Sequence, residues 1–484
     1  MITVGIDLGT SGVKVALLGD DDRVIGHSSK PLTVSRPHTG WSEQSPEDWW
    51  TATCLGLDEL KATHAAELAE TVAIGLSGQM HGATLLDADG VVLRPCMLWN
   101  DGRSDVECAE LERDWPDLHA VTGNLAMPGF TAPKVLWVRK HEPEIFARIA
   151  KVLLPKAYLR YRLSGEYAED MSDASGTLWL DVARRRWSPA ALAACGLRLE
   201  QMPRLVEGSE VAGALSPTLT ARWGFRRAPL IAGGAGDNAA GAVGVGAVHP
   251  GDAFVSLGTS GVLWATTARF APNPARAVHA FCHAVPDTWH QMGVLLSAAA
   301  SLAWWAAVTG RHEPDLLGEV DPAAGAASPV WFAPYLSGER TPHNDTRVRG
   351  GFLGLAGDTT RAHMTQAVLE GVAYALKDAQ QALAASGTVL SEAALIGGGA
   401  RSPLWAQIIA DVLGLALHQV AESEIGCALG AARLARMAAG ESIAVARPAT
   451  RLRTFEPRAA QVALHAQRHA HWQRLYPLAR DFAR

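Results

Sequence analysis

The sequence predicts an α/β protein built as two similar lobes, and three observations predict it. LGTSGV stands twice, within GIDLGTSGVKVALLGD at residues 5–20 and within FVSLGTSGVLW at 254–264. The copies lie about half a chain apart, so duplication of one ancestral unit is the natural inference. Apolar strands alternate with glycine turns and segments of helical period, the pattern of sheets covered by helices. A chain of 484 residues also exceeds one hydrophobic core, at roughly 150 residues per domain. The glycine-rich AVGVGAVHPGD at 242–252 marks the boundary, giving expected lobes of residues 1–246 and 247–484.

Residues 2–8 and 13–18 are apolar, β-branched runs around Gly9-Thr10-Ser11-Gly12, which reads as a hairpin. Ser45-Pro46-Glu47-Asp48 predicts a helix start, with serine as cap, proline at the first position and a capping box closed by the acid. LSGQMHGATLLD, 76–87, sets Gln79, Met80 and His81 between glycines just after an apolar strand. LIAGGAGDNAAGAVG, 230–244, runs from a strand into Asp237-Asn238 and a close-packing Ala/Gly helix. Residues 253–257 and 262–266 repeat the first hairpin. LLSAAASLAWWAAV, 295–308, is too short for the ~20 residues of a bilayer crossing and reads as a buried helix. SEAALIGGGARSPLWAQIIADVL, 391–413, reads as strand, triple glycine, Ser402-Pro403 cap and helix.

Composition narrows the partners. A formal charge of −6 gives no basic field for nucleic acid or anionic lipid, so small molecules are expected and a membrane is not. The start of the chain has no charged n-region or cleavage site, so a cytoplasmic location is expected. Six cysteines without a CxxC pair fit reduced thiols. His279, Cys282 and His283 in VHAFCHAV could be drawn as metal ligands, but apolar neighbours favour a strand and nothing completes a tetrahedron.

A turn of Gly, Thr, Ser and Gly brings amide N–H groups and hydroxyls close to a ligand, which suits phosphate oxygens. A plain turn is the competing reading for either copy alone; the repeat favours two hairpins, Thr10 and Ser11 in one and Gly258 and Thr259 in the other, holding one polyphosphate. Asp7 then has a reason: Mg²⁺ on a nucleotide triphosphate needs one carboxylate and keeps several waters. A second carboxylate would repel the phosphates, consistent with Ser256 in the other copy. The turn joins two strands and no GxxxxGK[ST] occurs, so this is not a Walker loop. Gly397-Gly398-Gly399 could let an adenosine lie against the backbone. Asp237 reads equally as an N-cap or as a base taking a proton from a sugar hydroxyl. Gln79, Met80 and His81 suit a polyhydroxylated ligand.

The two hairpins and the triple glycine resemble the actin-like ATPase superfamily, and GFTAPKVLWVRKH (129–141) and GFLGLAGDTTRAHMTQAVLE (351–370) resemble the signature segments of its FGGY carbohydrate kinases. VSRPHTGWSEQSPEDWW, GQMHGATLLD, LWNDGR, LLPKAYLRYRLSGE and GDNAAGAVGVG resemble members acting on D-xylulose. The resemblance implies two actin-like (ribonuclease H-like) lobes around a central cleft. It implies ATP-dependent phosphorylation of D-xylulose to D-xylulose 5-phosphate in xylose catabolism, with ATP and Mg²⁺. It puts Met80 and His81 at the sugar, makes Asp237 the catalytic base, and gives Asp7 to Mg-ATP. The phosphates would meet Gly258 and Thr259, and the nucleoside Gly398 and Gly399. A homodimer is the expected assembly. Ala235 stands where many such kinases have glycine, which removes no functional group. A kinase for ribulose or glycerol is the nearest alternative; a nucleotide-driven clamp or filament protein, needing no sugar-side base, is the alternative of another class.

Overall fold

The computed structural model describes residues 1–321, 327–421 and 425–482. Its first sheet runs, in spatial order, Val24–Pro31, Gly12–Leu18, Ile2–Leu8, Thr71–Gly78, Leu230–Ala232 and Val211–Ala214. The second runs Trp289–Leu295, Gly261–Thr267, Ala253–Leu257, Glu392–Ile396, Ala416–Val420 and Arg451–Phe455, with His279–Cys282 added beyond Trp289–Leu295. Strand by strand the directions agree. Each sheet has three antiparallel strands, two parallel ones joined to the third, and a final antiparallel edge. The duplication suggested by six letters of sequence therefore extends over both sheets.

The lobes interlock through small residues. Helix Cys427–Ala438, late in the chain, lies on the first sheet and against helix Asp237–Val245. Side chains there would collide: a Cβ on Gly5 would stand 1.9 Å from the Ala428 carbonyl oxygen, and one on Gly75 would stand 1.8 Å from that of Ala431. Arg433 locks the seat, donating to the carbonyls of Val243 and Gly244 at 3.0 Å and pairing with Asp22 at 2.9 Å.

Several local expectations change. The helix at Pro46–Thr63 starts after Ser45, but the serine side chain makes no cap bond, so the capping box expected of Ser45 and Asp48 is absent. The helix in the 295–308 run is Ala299–Thr309, buried on one face only, with Val308 exposed. Asp237 is the first helical residue; Gly236 holds the cap position and no side chain caps, which removes the N-cap reading. Strand His279–Cys282 is buried on both faces. The strand, triple-glycine and helix unit is as expected, with the Ser402 hydroxyl accepting the Trp405 amide at 3.3 Å. All six cysteines are free. No helix among the described residues is long and apolar enough to cross a membrane.

Candidate active site

Asp237 is delivered by the glycine approach that ends the first lobe. Residues Ala235–Gly236 pair beside Ser77–Gly78, and the Gly236 amide donates to the Ser172 hydroxyl at 3.1 Å. Ser172 in turn donates to Asp170, which Lys156 pairs at 2.7 Å. The carboxylate Oδ1 accepts the backbone and side-chain N–H groups of Asn238, at 2.7 and 3.0 Å. Burial, and then the like charge of Asp7, push the Asp237 carboxyl up to about 6. A group titrating there is ionised at neutral pH yet basic enough to take a proton.

Asp7 stands one residue before the end of its strand, beside Ser77, whose hydroxyl donates to Oδ1 at 2.9 Å, and opposite Lys14. Burial raises it too, against that hydroxyl and the Lys14 charge. A buried carboxylate raised in this way is one a bound cation would relieve. The only group of three or more potential metal ligands among the described residues is Glu169, Asp170 and Asp173, and the Lys156 ammonium lies against all three.

The turn that carries Met80 and His81 is held from below by the first signature segment. His81 sits at φ 71°, and its carbonyl accepts from the buried Lys134 ammonium at 3.0 Å and from Thr131 at 3.1 Å. Its Nδ1 lies 2.8 Å from the Gly176 carbonyl, which can only accept, so Nδ1 carries the proton and Nε2 is left as an acceptor. Burial, with the Lys134 charge, lowers the ring to about 3, keeping it neutral. Gln79 faces elsewhere. It accepts from the Thr10 hydroxyl and donates to Gln44, each at 3.0 Å, and Gln44 donates to the Thr10 carbonyl at 2.8 Å. The structure thus ties Gln79 to the first hairpin rather than bringing it to the cavity.

A cavity of about 320 Å³ between the lobes gathers Met80, His81 and Asp237 from the first lobe with Gly258 and Ser260 of the second hairpin. The first hairpin adjoins it through Trp99, a lining residue whose indole N–H donates to the Thr10 hydroxyl at 3.0 Å; Ser11 stands exposed at the tip. The second hairpin is anchored by helix Ala299–Thr309, where the Ala298 and Ala299 amides donate to the Thr259 and Gly258 carbonyls at 2.9 Å. A larger cavity, about 950 Å³, joins Thr259 to Gly398, Gly399 and the apolar faces of Leu302 and Leu317. Gly397, at φ 92°, packs so closely on Leu257 that a Cβ would stand 2.7 Å from its backbone. Sequence reasoning missed Trp99, Phe130, His279, Phe281 and Arg340, all lining the smaller cavity. Trp99 stood in LWNDGR, Phe130 in the first signature segment and His279 and Phe281 in VHAFCHAV, but nothing in those motifs directed the side chains to one cavity; Arg340 carried no signal.

A carboxylate near a strand end, a second one raised by burial and two glycine hairpins around an interlobe cavity are the features of a phosphotransferase that works across a cleft. The two halves match the N-terminal and C-terminal domains of the FGGY family of carbohydrate kinases, over residues 2–244 and 253–439. The chain is 54% identical over 437 residues to the xylulose kinase of Escherichia coli K12, covering 90% of each, and 37% identical over 440 residues to that of Bacillus subtilis 168, covering 90% and 88%. It superposes on the crystal structure of a xyloylose kinase from Brucella ovis with a TM-score of 0.97 at 50% identity, over 100% of both chains. For the xylulose kinase of Rhodospirillum rubrum the TM-score is 0.92 at 28% identity, again over 100% of both. The chain belongs to the FGGY family of carbohydrate kinases and has the family's two actin-like lobes.

Proposed function

We propose that the protein transfers the γ-phosphoryl group of ATP to the C5 hydroxyl of D-xylulose, giving D-xylulose 5-phosphate and ADP, in xylose catabolism. The observation that carries this reading is Asp237, raised to about 6, on the wall of a cavity shared with the second glycine hairpin. The pentulose follows from the relatives named xylulose kinase.

The sugar lies against Met80 and His81, whose bare Nε2 accepts from a sugar hydroxyl. Asp237, fixed by Asn238, orients the C5 hydroxyl and takes its proton as the new O–P bond forms and the bond to the β-phosphate oxygen breaks. A loose transition state asks little more of a base than position and late proton transfer. The amides of the Gly258–Thr259 turn, with the first hairpin at Thr10 and Ser11, hold phosphate oxygens, and Gly398 and Gly399 face the nucleoside. Mg²⁺ enters as part of the nucleotide substrate, neutralising phosphate charge, with Asp7 as its one carboxylate from the protein. The interlobe position of the cavity keeps water from competing with the sugar.

The test is ADP release with D-xylulose, D-ribulose, glycerol or no acceptor, for wild type and Asp237→Ala. The expected result is turnover strongly stimulated by D-xylulose and reduced by about 10²–10⁴ in the variant. Equal turnover without sugar, or an unimpaired variant, overturns the reading.

A further inference from the structure

Arg340 reaches the sugar cavity from the second lobe and has no role in the transfer derived above. Its guanidinium forms no ion pair among the described residues. The adjacent carboxyl, Glu339, accepts the Leu296 and Arg340 amides and is pushed up to about 8 by burial, so it supplies no full counter-charge at neutral pH. One contact aims the side chain. Asn124 donates through its amide nitrogen to the carbonyls of Thr122 and Ala280, which leaves its oxygen to accept from His279 Nδ1 at 3.2 Å. His279 Nε2 is then an acceptor, 3.4 Å from Arg340 Nη1. The remaining donors have the cavity before them.

The cavity is polarised. The charge neighbouring Asp237 is Asp7, whereas the field of Arg340 falls on His81 and His279. A ligand with one hydroxyl on Asp237 therefore presents its other end to a group that only donates. We propose that Arg340 is the specificity-determining contact for the non-reacting end of the sugar, donating to the C2 carbonyl oxygen and C1 hydroxyl of a ketose. A carbonyl oxygen accepts from a fork of N–H donors without bringing a hydrogen of its own; the CH–OH of an alditol brings one. A site built this way rejects the alditol because a buried donor would go unmatched.

The inference rests on the sugar reading of the cavity, which wild-type activity on D-xylulose tests separately. The experiment compares kcat and KM on D-xylulose and on xylitol for wild type, Arg340→Lys, Arg340→Met and His279→Phe, with thermal unfolding as the folding control. In Arg340→Met, kcat/KM on D-xylulose is expected to fall about 10–100-fold, mainly through KM, while xylitol changes little and the preference collapses. Arg340→Lys recovers part of it, and His279→Phe, with the guanidinium no longer aimed, shows a smaller loss of the same kind. Should Arg340→Met lower kcat equally on both acceptors at unchanged KM, the guanidinium serves the phosphoryl group and the proposal is wrong. Should wild type prefer a sugar acid such as xylonate to the ketose, Arg340 is a carboxylate site and the proposal is equally wrong. Wild type inactive on D-xylulose overturns the sugar reading instead.

Discussion

Asp237→Asn is expected to stabilise the fold while removing the transfer. The carboxyl is pushed up to about 6 from its ordinary 3.8, and a tenfold change in proton affinity is worth ~1.4 kcal/mol. Keeping the charge in place at pH 8 therefore costs the folded state at most about 3 kcal/mol. The amide keeps the shape and its oxygen can still accept from Asn238, though less strongly, so a net gain of about 1–2 kcal/mol is expected. The sign follows from linkage: the folded chain binds this proton more tightly than the unfolded one, so wild type loses stability as pH rises from about 4 to 6 and bears the full penalty above. Matched thermal scans of wild type and variant at pH 8 and pH 4.5 read this directly. The variant should melt several degrees higher at pH 8, and the gap should shrink at pH 4.5, while ADP release with D-xylulose falls by about 10²–10⁴. A variant less stable at pH 8, or a gap independent of pH, refutes the argument that burial and Asp7 strain this carboxylate.

Asp7→Asn removes the like charge that helps raise Asp237, so the acid limb of kcat/KM on D-xylulose should move below about pH 6 and the dependence on Mg²⁺ should weaken; an unmoved limb contradicts the coupling. Gln79→Ala loses the bond to the Thr10 hydroxyl, so KM for ATP should rise about 3–30-fold with KM for sugar nearly unchanged; the opposite split would return Gln79 to the sugar. Gly75→Ala drives a methyl to 1.8 Å from the Ala431 carbonyl oxygen, and a loss of about 2–3 kcal/mol is expected in thermal or urea unfolding; a neutral effect would mean the interlobe helix is loosely seated. Ser256→Asp puts a second carboxylate on the cavity, so the acid limb should shift above about pH 6 and KM for ATP should rise; an unchanged profile separates Ser256 from the phosphates.

Features encoded within a few residues were legible before any coordinates. The hairpin glycines, the Ser402-Pro403 helix start and the strand-to-helix passage into Asp237 each follow from local backbone requirements. The LGTSGV repeat and the chain length implied two lobes and a polyphosphate cleft, and the FGGY resemblance added the family and the pentulose. What depended on distant chain was hidden. Ser45 could cap its helix by local rules, yet no cap bond forms, and the neighbouring Glu47 is drawn to Arg162, more than a hundred residues away. Gln79 sits beside Met80 and His81, but the strand ends at Gly78 and the chain turns, with His81 at φ 71°, so the three side chains part: Gln79 meets the hairpin, Met80 and His81 the cavity. Arg340 follows Gly338-Glu339 in a loop without periodicity, and only contacts at Val294 and Leu296, far off in the sequence, carry it to a cavity whose walls come from both lobes. The seat of Cys427–Ala438 on Gly5 and Gly75 was equally invisible, because a glycine in a strand does not announce which helix it admits.

The difference between Asp7 and Ser256 shows how a duplicated fold becomes an asymmetric catalyst. Both residues stand one before the end of the first strand of their sheet, opposite the second strand and beside the third. On the first side the third-strand neighbour is Ser77, which hydrogen-bonds a carboxylate; on the second it is Ile396, which cannot. The first sheet can therefore hold an anion at this position and the second would strand one. The same division suits the proposed base, since Asp237 already feels Asp7 and a further anion at 256 would raise it higher still. With the negative groups confined to one lobe, the other offers backbone amides, hydroxyls and the guanidinium of Arg340. On the proposed reading, a polyphosphate and the electron-rich end of a sugar would both meet donors on that wall, and the proton would leave toward Asp237 opposite.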